Sequence, residues 1–264
     1  MKKNILRNIL AKGRPSLGTR LWSVWPFYME ALGSIGIYDY AEFVAEYAPY
    51  TQNDLENLSR AAELHGMGTI IKLDFLNREY MAQKAVAAGF QGILFADNRN
   101  AAHVRDSIQA IKPDTPEFRG QYGCPARRFI GTQYKLDQLD HAKRLNDVVL
   151  CFMIEKEEAM ENLEAICSVP GVDMVQFGPA DYCLSRGINL SEHREEAKAV
   201  EREMIQIALK HGVHPRCEIQ SSEDAYYYAK LGVRHFCVGD QLEILRRFWS
   251  DQGDRMREIM RELI

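Results

Sequence analysis

Eight short apolar runs alternate along the chain with amphipathic segments, and this alternation limits the possible folds more than any other feature. Near-continuous apolar strands separated by helices are typical of a parallel sheet that is buried on both faces. Eight such units predict a closed (β/α)8 TIM barrel, whose reactive groups stand at the C-terminal ends of the strands. The eight predicted strands are Thr19–Trp25, Tyr40–Tyr47, Gly68–Phe75, Gly92–Asn98, Val148–Lys156, Val172–Gly178, His214–Ile219 and Arg234–Asp240.

The length of the chain agrees with a single barrel domain over residues 1–264, because barrels of this type typically contain about 250 residues. The segment before the first strand predicts a short amphipathic helix. The segment after the eighth strand predicts a helical extension, with a break near Gly253 between two helices. One connection is long, Pro113–Asp147, and we expect a helix over Leu136–Asn146 within it.

Composition narrows the choice of partners and compartment. A net charge of -4 gives no reason to expect nucleic acid or an anionic membrane as a partner. No run approaches the roughly 18 apolar residues that a bilayer span needs, and the N-terminus does not read as a signal peptide. The six cysteines form no C-x-x-C pair, which favours reduced, buried thiols over disulfides or a zinc site. We therefore expect a cytoplasmic protein.

Two acidic residues stand at the ends of neighbouring predicted strands. Glu155 ends the apolar run VVLCFMIE, and Asp181 ends VQFGPAD, just past the sixth strand. Strand-end residues on adjacent strands point into one pocket, and paired carboxylates suit Mg²⁺ or Mn²⁺ with room for a chelating 2-oxo acid. Two plainer interpretations stay open at this point: Glu155 as a first-turn helix acid and Asp181 as a turn cap.

The stretch GPADYCLSRG favours the metal-site interpretation. Gly178 and Pro179 predict a tight turn directly after a strand. The backbone N–H groups that follow, near Ala180 and Asp181, are then free to bind a carboxylate. A pyruvate-like ligand requires a carboxylate-binding site next to a metal-binding site.

These motifs carry a resemblance to a known family. The chain resembles the 4-hydroxy-2-oxoheptanedioate and 2-keto-3-deoxy-sugar-acid aldolases, which are class II pyruvate aldolases of the HpcH/HpaI type. The resemblance covers nearly the whole chain. The matching stretches are VDMVQFGPADYCLSRG, VLCFMIEKEEAMENLEAICSVPGVD, PDTPEFRGQYGCPARR, EYAPYTQNDL and GVRHFCVGDQLEIL.

The resemblance implies roles for individual residues. Glu155 and Asp181 would bind a divalent metal, most simply Mg²⁺ or Mn²⁺. Backbone N–H groups near Ala180 and Asp181, in the turn that starts at Gly178 and Pro179, would hold the carboxylate of a 2-oxo acid. The metal would polarise the 2-oxo group and stabilise an enolate.

The departures from the family pattern concern acid–base chemistry. Tyr47 stands where the family has its catalytic His, and Val44 where it has the Asp that orients this His. Lys72 replaces the Arg that stabilises the keto oxygen, and Met153 replaces a Gln two residues before the metal-binding Glu. A neutral Tyr is a poor base near pH 7, because its reference pKa is about 10. The acid–base dyad of the family is therefore missing.

Several roles stay open from the sequence. Lys72 acts either as a cation over the enolate oxygen, which we favour, or as a Schiff-base nucleophile. Tyr47 is either a proton donor or a wall of the pocket. Arg127, in the long connection, either reaches the site or pairs with an acid on the surface, and the surface is favoured.

The functional prediction is a metal-dependent carbon–carbon lyase that forms an enolate of a pyruvate-like 2-oxo acid. A citrate-synthase-like condensing enzyme and a 2-oxo diacid decarboxylase are alternatives on the same scaffold. A non-catalytic 2-oxo-acid-binding protein is a further alternative. The resemblance and the apolar residues after the eighth strand also predict a homo-oligomer, a hexamer as in the family.

Overall fold

The chain closes into a barrel of eight parallel strands in sequence order, with the last strand paired to the first. The structure is a computed structural model that describes residues 3–124 and 137–263. All eight predicted strands are present, and β1 begins three residues earlier than its apolar run indicates. The strands are β1 Ser16–Leu21, β2 Tyr40–Val44, β3 Gly68–Leu73, β4 Gly92–Phe95, β5 Val149–Ile154, β6 Met174–Phe177, β7 His214–Ile219 and β8 His235–Asp240.

Helices follow or precede every strand, as the alternating pattern predicts. They form the outer layer of the barrel, with a short helix at its N-terminal end and a long one after the last strand. The helices are α1 Ile5–Ala11, α2 Pro26–Ser34, α3 Gln52–Leu64, α4 Arg78–Ala88, α5 Ala101–Ile111, α6 Gln138–Asn146, α7 Glu157–Glu161, α8 Leu163–Cys167, α9 Pro179–Ser185, α10 Arg194–Lys210, α11 Ala225–Lys230 and α12 Gln241–Glu262. Helix α6 confirms the helix expected in the long connection.

The apolar residues form two layers. The larger one lies between the strands and the surrounding helices. The smaller one fills part of the barrel interior and includes Ile70, Leu94 and Met174, together with Leu6 and Leu10 of α1. Because α1 contributes to the interior cluster, it closes the N-terminal end of the barrel and leaves the C-terminal end open.

Polar contacts fix α1 in this position. The side-chain amide of Asn4 donates hydrogen bonds of 2.7 Å to the carbonyl oxygens of Gln91 and Asp147, just before β4 and β5. The guanidinium of Arg7 forms a two-pronged pair with Asp173, just before β6. The N-terminal helix is thereby tied to three strand starts.

The other half of the barrel interior is charged. Arg216 and Glu42 are both fully buried and form an ion pair of 2.5 Å. Arg216 also donates to the Tyr40 hydroxyl at 2.8 Å and to the side-chain oxygen of Gln176. A lone buried charge is costly in a low-dielectric interior, so these partners are what make an arginine tolerable there.

The network continues toward the open end of the barrel. The Gln176 amide donates to Glu218 at 2.7 Å, and Arg20 pairs with Glu218 at 2.9 Å and with Asp240 at 3.3 Å. Trp22 donates its indole N–H to Asp240 as well. Ion pairs and the hydrogen bonds of Gln176 therefore connect β2, β6, β7, β8 and β1 across the interior.

The predicted break near Gly253 is wrong, because α12 is one continuous helix of 22 residues. A glycine inside a helix costs about 1 kcal/mol relative to alanine, and this cost alone does not end a helix of this length. Asp240 also caps the helix by accepting hydrogen bonds from the N–H groups of Leu242 and Glu243. The remaining expectation, a helical extension after β8, is confirmed.

Of the residues of α12, only Gln241 is buried. Apart from the half-buried Leu245, the rest of the helix is exposed, with large apolar side chains in contact with solvent. These include Phe248, Trp249, Met256, Met260 and, directly after the helix, Leu263. None of the helices in residues 3–124 and 137–263 is long and apolar enough to cross a membrane.

The buried ion pair generates a stability prediction. Arg216→Met should lower the free energy of unfolding by about 3–5 kcal/mol, because Glu42 is left charged and unpaired in the interior. Chemical denaturation followed by circular dichroism measures this. The control is Arg60→Met, whose half-exposed pair with Glu56 should contribute only about 0–1 kcal/mol.

A double variant separates charge burial from lost packing. Arg216→Met combined with Glu42→Leu should be more stable than Arg216→Met alone, because no unpaired charge remains. A double variant that is less stable than the single one would show that the packing of Arg216, and not its charge pair, stabilises the barrel.

Candidate active site

The C-terminal ends of five neighbouring strands bring charged side chains together at the open end of the barrel. Lys72 lies near the end of β3, and Glu155 directly follows β5. Glu46 lies two residues after the end of β2, and Asp97 lies two residues after the end of β4. Asp181 lies in the first turn of α9, after β6. The two predicted metal ligands therefore follow adjacent strands of the same sheet edge.

Lys72 and Glu46 form a nearly buried ion pair. The Lys72 ammonium lies 2.5 Å from the Glu46 carboxylate, and both side chains are less than 10% exposed. The Glu46 N–H also donates to the Lys72 carbonyl at 3.1 Å, which fixes the backbone beside the pair. Burial alone would lower the pKa of Lys72, but Glu155 and Glu46 outweigh it and hold this pKa above its usual range. Lys72 is therefore a fixed cation.

Glu155 is the most deeply buried acid of the group. Its Oε1 accepts a hydrogen bond of 2.7 Å from the Asp97 N–H, and its Oε2 lies 4.0 Å from the Lys72 ammonium. Burial raises the pKa of Glu155 to about 7, although Lys72 and the Asp97 N–H lower it. A buried carboxylate of this kind is destabilised without a cation beside it.

Gly178 is required where it stands because β6 passes close to Glu155. A Cβ atom at position 178 would lie 2.7 Å from the Glu155 Cβ and 2.8 Å from its Oε2. The Gly178 N–H donates to the Ile154 carbonyl at 3.1 Å. The glycine of the Gly-Pro-Ala-Asp turn therefore makes room for the Glu155 carboxylate.

Asp181 is about one-third exposed and faces a second lysine. The Lys156 ammonium lies 2.6 Å from the Asp97 carboxylate and 3.7 Å from that of Asp181. Burial alone would lower the pKa of Lys156, but Asp97 and Asp181 hold it above its ordinary value. Pro179 and Ala180, which precede Asp181, are exposed at the same edge.

Tyr47 stacks at the edge of the site. Its ring lies 5.9 Å from that of Trp22, and the Lys72 ammonium stands 5.4 Å from its centroid. Partial burial and the nearby Glu46 raise the pKa of Tyr47 to about 12, with Lys72 acting in the opposite direction. Val44 pairs with Lys72 across the sheet and is buried, so it orients nothing.

The donor set fits a hard divalent cation with a partly open coordination shell. Among the described residues, no group of three or more His, Cys, Asp or Glu side chains is arranged to hold a metal ion. Mg²⁺, however, is commonly bound through one or two carboxylates, with water and substrate oxygens completing the shell. Glu155 and Asp181 would supply two such carboxylates at this edge of the barrel, and the charge of Asp181 is close enough to raise the pKa of Glu155.

Three residues of the site escaped the sequence analysis: Glu46, Asp97 and Lys156. Each is adjacent to a strand end, and Glu46 and Lys156 are also direct neighbours of Tyr47 and Glu155. Their position within the last two residues of predicted strands was the available signal. Their pairing was not available, because it depends on which side chains meet across the barrel edge. Arg127, the candidate in the long connection, lies outside the described residues.

A family model described as "HpcH/HpaI aldolase/citrate lyase" matches residues 50–225 of the chain. The 4-hydroxy-2-oxo-heptane-1,7-dioate aldolase of Escherichia coli is 26% identical over 247 residues, which cover 93% of this chain and 92% of the relative. The match therefore spans almost the full length of both proteins.

Solved structures share the fold at lower sequence identity. An HpcH/HpaI aldolase from Desulfitobacterium hafniense superposes with a TM-score of 0.86 at 20% identity, covering 96% of this chain and 97% of that one. The citrate synthase SbnG superposes with a TM-score of 0.84 at 21% identity, covering 97% of this chain and 98% of that one. Macrophomate synthase superposes with a TM-score of 0.83 at 19% identity, covering 98% of this chain and 90% of that one.

The family model spans well over half of the chain and includes Lys72, Glu155 and Asp181. The eight-stranded barrel agrees with the match. The chain therefore belongs to the HpcH/HpaI aldolase/citrate lyase family and is a carbon–carbon lyase of the aldolase type.

Proposed function

We propose that the protein acts on pyruvate-like 2-oxo acids and depends on a divalent metal, Mg²⁺ or Mn²⁺, held by Glu155 and Asp181. The observation that carries this proposal is the buried Glu155 carboxylate, which has a raised pKa and lies on the strand next to the one that leads to Asp181. Bound there, the metal would supply the Lewis acidity that polarises a 2-oxo group and favours its enolate.

The chain's own residues would position the substrate. The backbone N–H groups near Ala180 and Asp181, after the Gly178–Pro179 turn, are the proposed seat for the substrate carboxylate. Lys72 stands 4.0 Å from Glu155, so its ammonium is close enough to the same ligand to stabilise negative charge on the 2-oxo oxygen. Binding and charge stabilisation would then come from one edge of the barrel.

Lys72 is proposed as an electrostatic residue and not as a Schiff-base nucleophile. A nucleophilic lysine needs a neutral amine, which requires a depressed pKa. Here the Glu46 carboxylate at 2.5 Å keeps the amine protonated. The fixed ion pair also limits the freedom of Lys72 to approach a carbonyl carbon.

Proton transfer from a substrate hydroxyl has no obvious acceptor among the described residues of the site. Tyr47 is a poor base with a pKa of about 12, and its stacking on Trp22 supports a role as pocket wall or proton donor. Decarboxylation of a 2-oxo diacid needs charge stabilisation but no such base. This second candidate is therefore favoured over retro-aldol cleavage of the usual family substrates. A citrate-synthase-like condensation is compatible with the same enolate.

We also propose that the protein is a homo-oligomer, a hexamer as the family resemblance implies. The exposed apolar residues of α12 support this, because solvent-exposed apolar patches of this extent are typical of subunit contacts. The proposed partner is a second copy of the chain, and we propose neither a nucleic acid nor a membrane as a partner.

Removal of either metal ligand should abolish metal-dependent turnover. Glu155→Gln and Asp181→Asn each keep the shape of the side chain and remove its charge, so we expect a loss of at least about 10²-fold in kcat/KM with the thermal unfolding midpoint retained. Steady-state kinetics with added Mg²⁺ or Mn²⁺ measures this, and Glu164→Gln, on the surface, is the control. Full activity of the unchanged protein in excess chelator would contradict the proposal.

The missing base generates a prediction about reaction preference. Retro-aldol cleavage of 4-hydroxy-2-oxoheptanedioate should be slow, by about the 10²–10⁴-fold that general-base assistance contributes, while oxaloacetate decarboxylation stays measurable. Lys72→Ala should impair both reactions and Lys72→Arg should restore part of the activity. Tyr47→Phe should affect only a reaction that needs proton transfer. Efficient cleavage of the hydroxy acid would show that another residue supplies the base.

The oligomer prediction is tested by light scattering at micromolar protein concentration. The unchanged chain should give the mass of a hexamer. Replacement of Phe248 and Trp249 by Ser should shift the mass toward smaller species, because it removes apolar contact area. A monomer in the unchanged protein would refute this proposal.

A further inference from the structure

The edge of the barrel that carries the two proposed metal ligands also carries Asp97 and a second lysine, Lys156. Lys156 directly follows Glu155, and its side chain is only 14% exposed. Its ammonium lies between two acids, 2.6 Å from Asp97 and 3.7 Å from Asp181. The proposed mechanism uses neither Lys156 nor the side chain of Asp97.

The backbone of Asp97 indicates that this arrangement is specific. Its φ of 54° lies in the left-handed region, which residues other than glycine rarely adopt, although Asp and Asn tolerate it best. In this conformation the Asp97 N–H donates to Glu155 at 2.7 Å while the Asp97 carboxylate binds Lys156. One residue thus holds Glu155 through its main chain and Lys156 through its side chain.

The two contacts of Lys156 compete for one ammonium. An ammonium on Asp181 would occupy an oxygen that a divalent cation needs and would repel that cation. The shorter contact with Asp97 draws the ammonium away from Asp181. The same contact keeps the Asp97 carboxylate from serving as a further metal ligand, in agreement with the lack of any three-ligand group in the described residues.

We propose that Lys156 and Asp97 form a positioning pair that sets the metal affinity of the site, with Lys156 weakening metal binding and Asp97 restraining Lys156. The inference rests on the proposed metal-binding function of Glu155 and Asp181. It assigns opposite effects to two residues in direct contact. A merely structural ion pair does not have this property, because loss of either partner would then weaken binding.

The test is direct Mn²⁺ binding, measured from the free-ion signal in electron paramagnetic resonance, without substrate. Lys156→Met should bind Mn²⁺ about tenfold more tightly, because a positive charge 3.7 Å from the proposed metal ligand Asp181 is lost. Asp97→Asn should bind about tenfold more weakly, because Asp181 becomes the remaining acidic partner of Lys156. Asparagine tolerates the left-handed backbone, so the contact to Glu155 should persist.

A matched control corrects for overall charge. Lys210→Met removes one positive charge from a surface pair with Glu164 and should leave Mn²⁺ affinity unchanged. If Lys156→Met binds no more tightly than Lys210→Met, the positioning pair is refuted, whether or not Asp97→Asn folds. If Asp97→Asn folds and does not weaken binding, the role of Asp97 is refuted. If neither the unchanged protein nor any variant binds Mn²⁺, the proposed metal-binding function itself is refuted.

Discussion

The parallel pairing that closes β8 against β1 determines where every reactive side chain lies. Because all eight strands run in one direction, their C-terminal ends share one edge. Helix α1 fills the opposite end through Leu6 and Leu10. Chemistry is thereby confined to the open edge, where residues from β2 to β6, distant in sequence, come within contact of one another.

Charge is distributed unevenly inside this barrel, and the distribution has a functional consequence. Arg216 and Glu42 neutralise each other in the middle of the interior, while Lys72, Glu46, Glu155, Lys156 and nearby acids occupy the open edge. Each cation at the edge is held by at least one carboxylate. These pairs support the proposed role of Lys72 as a fixed charge and not as a nucleophile.

Much of the fold follows from sequence pattern, because the strand period and the apolar runs are local properties. The eight strands, the single barrel and the helix in the long connection are confirmed. The break near Gly253 is wrong, since one glycine costs a helix only about 1 kcal/mol and α12 continues through it. The ion pairs Lys72–Glu46 and Lys156–Asp97 could not be predicted from the sequence. Each joins residues about 25 to 60 positions apart and depends on the register of the barrel strands.

We propose that Glu155 and Asp181 hold a metal with which the site forms an enolate from a 2-oxo acid. Exchange of the pyruvate methyl protons with deuterium from the solvent tests this most directly. It needs the enolate and a proton acceptor that a buffer base can supply, but no aldehyde and no leaving carboxylate. The account predicts exchange with added Mg²⁺ or Mn²⁺ that stops in excess chelator and in Glu155→Gln. Exchange that continues at the same rate in chelator would contradict it, as would its absence in the metal-loaded protein.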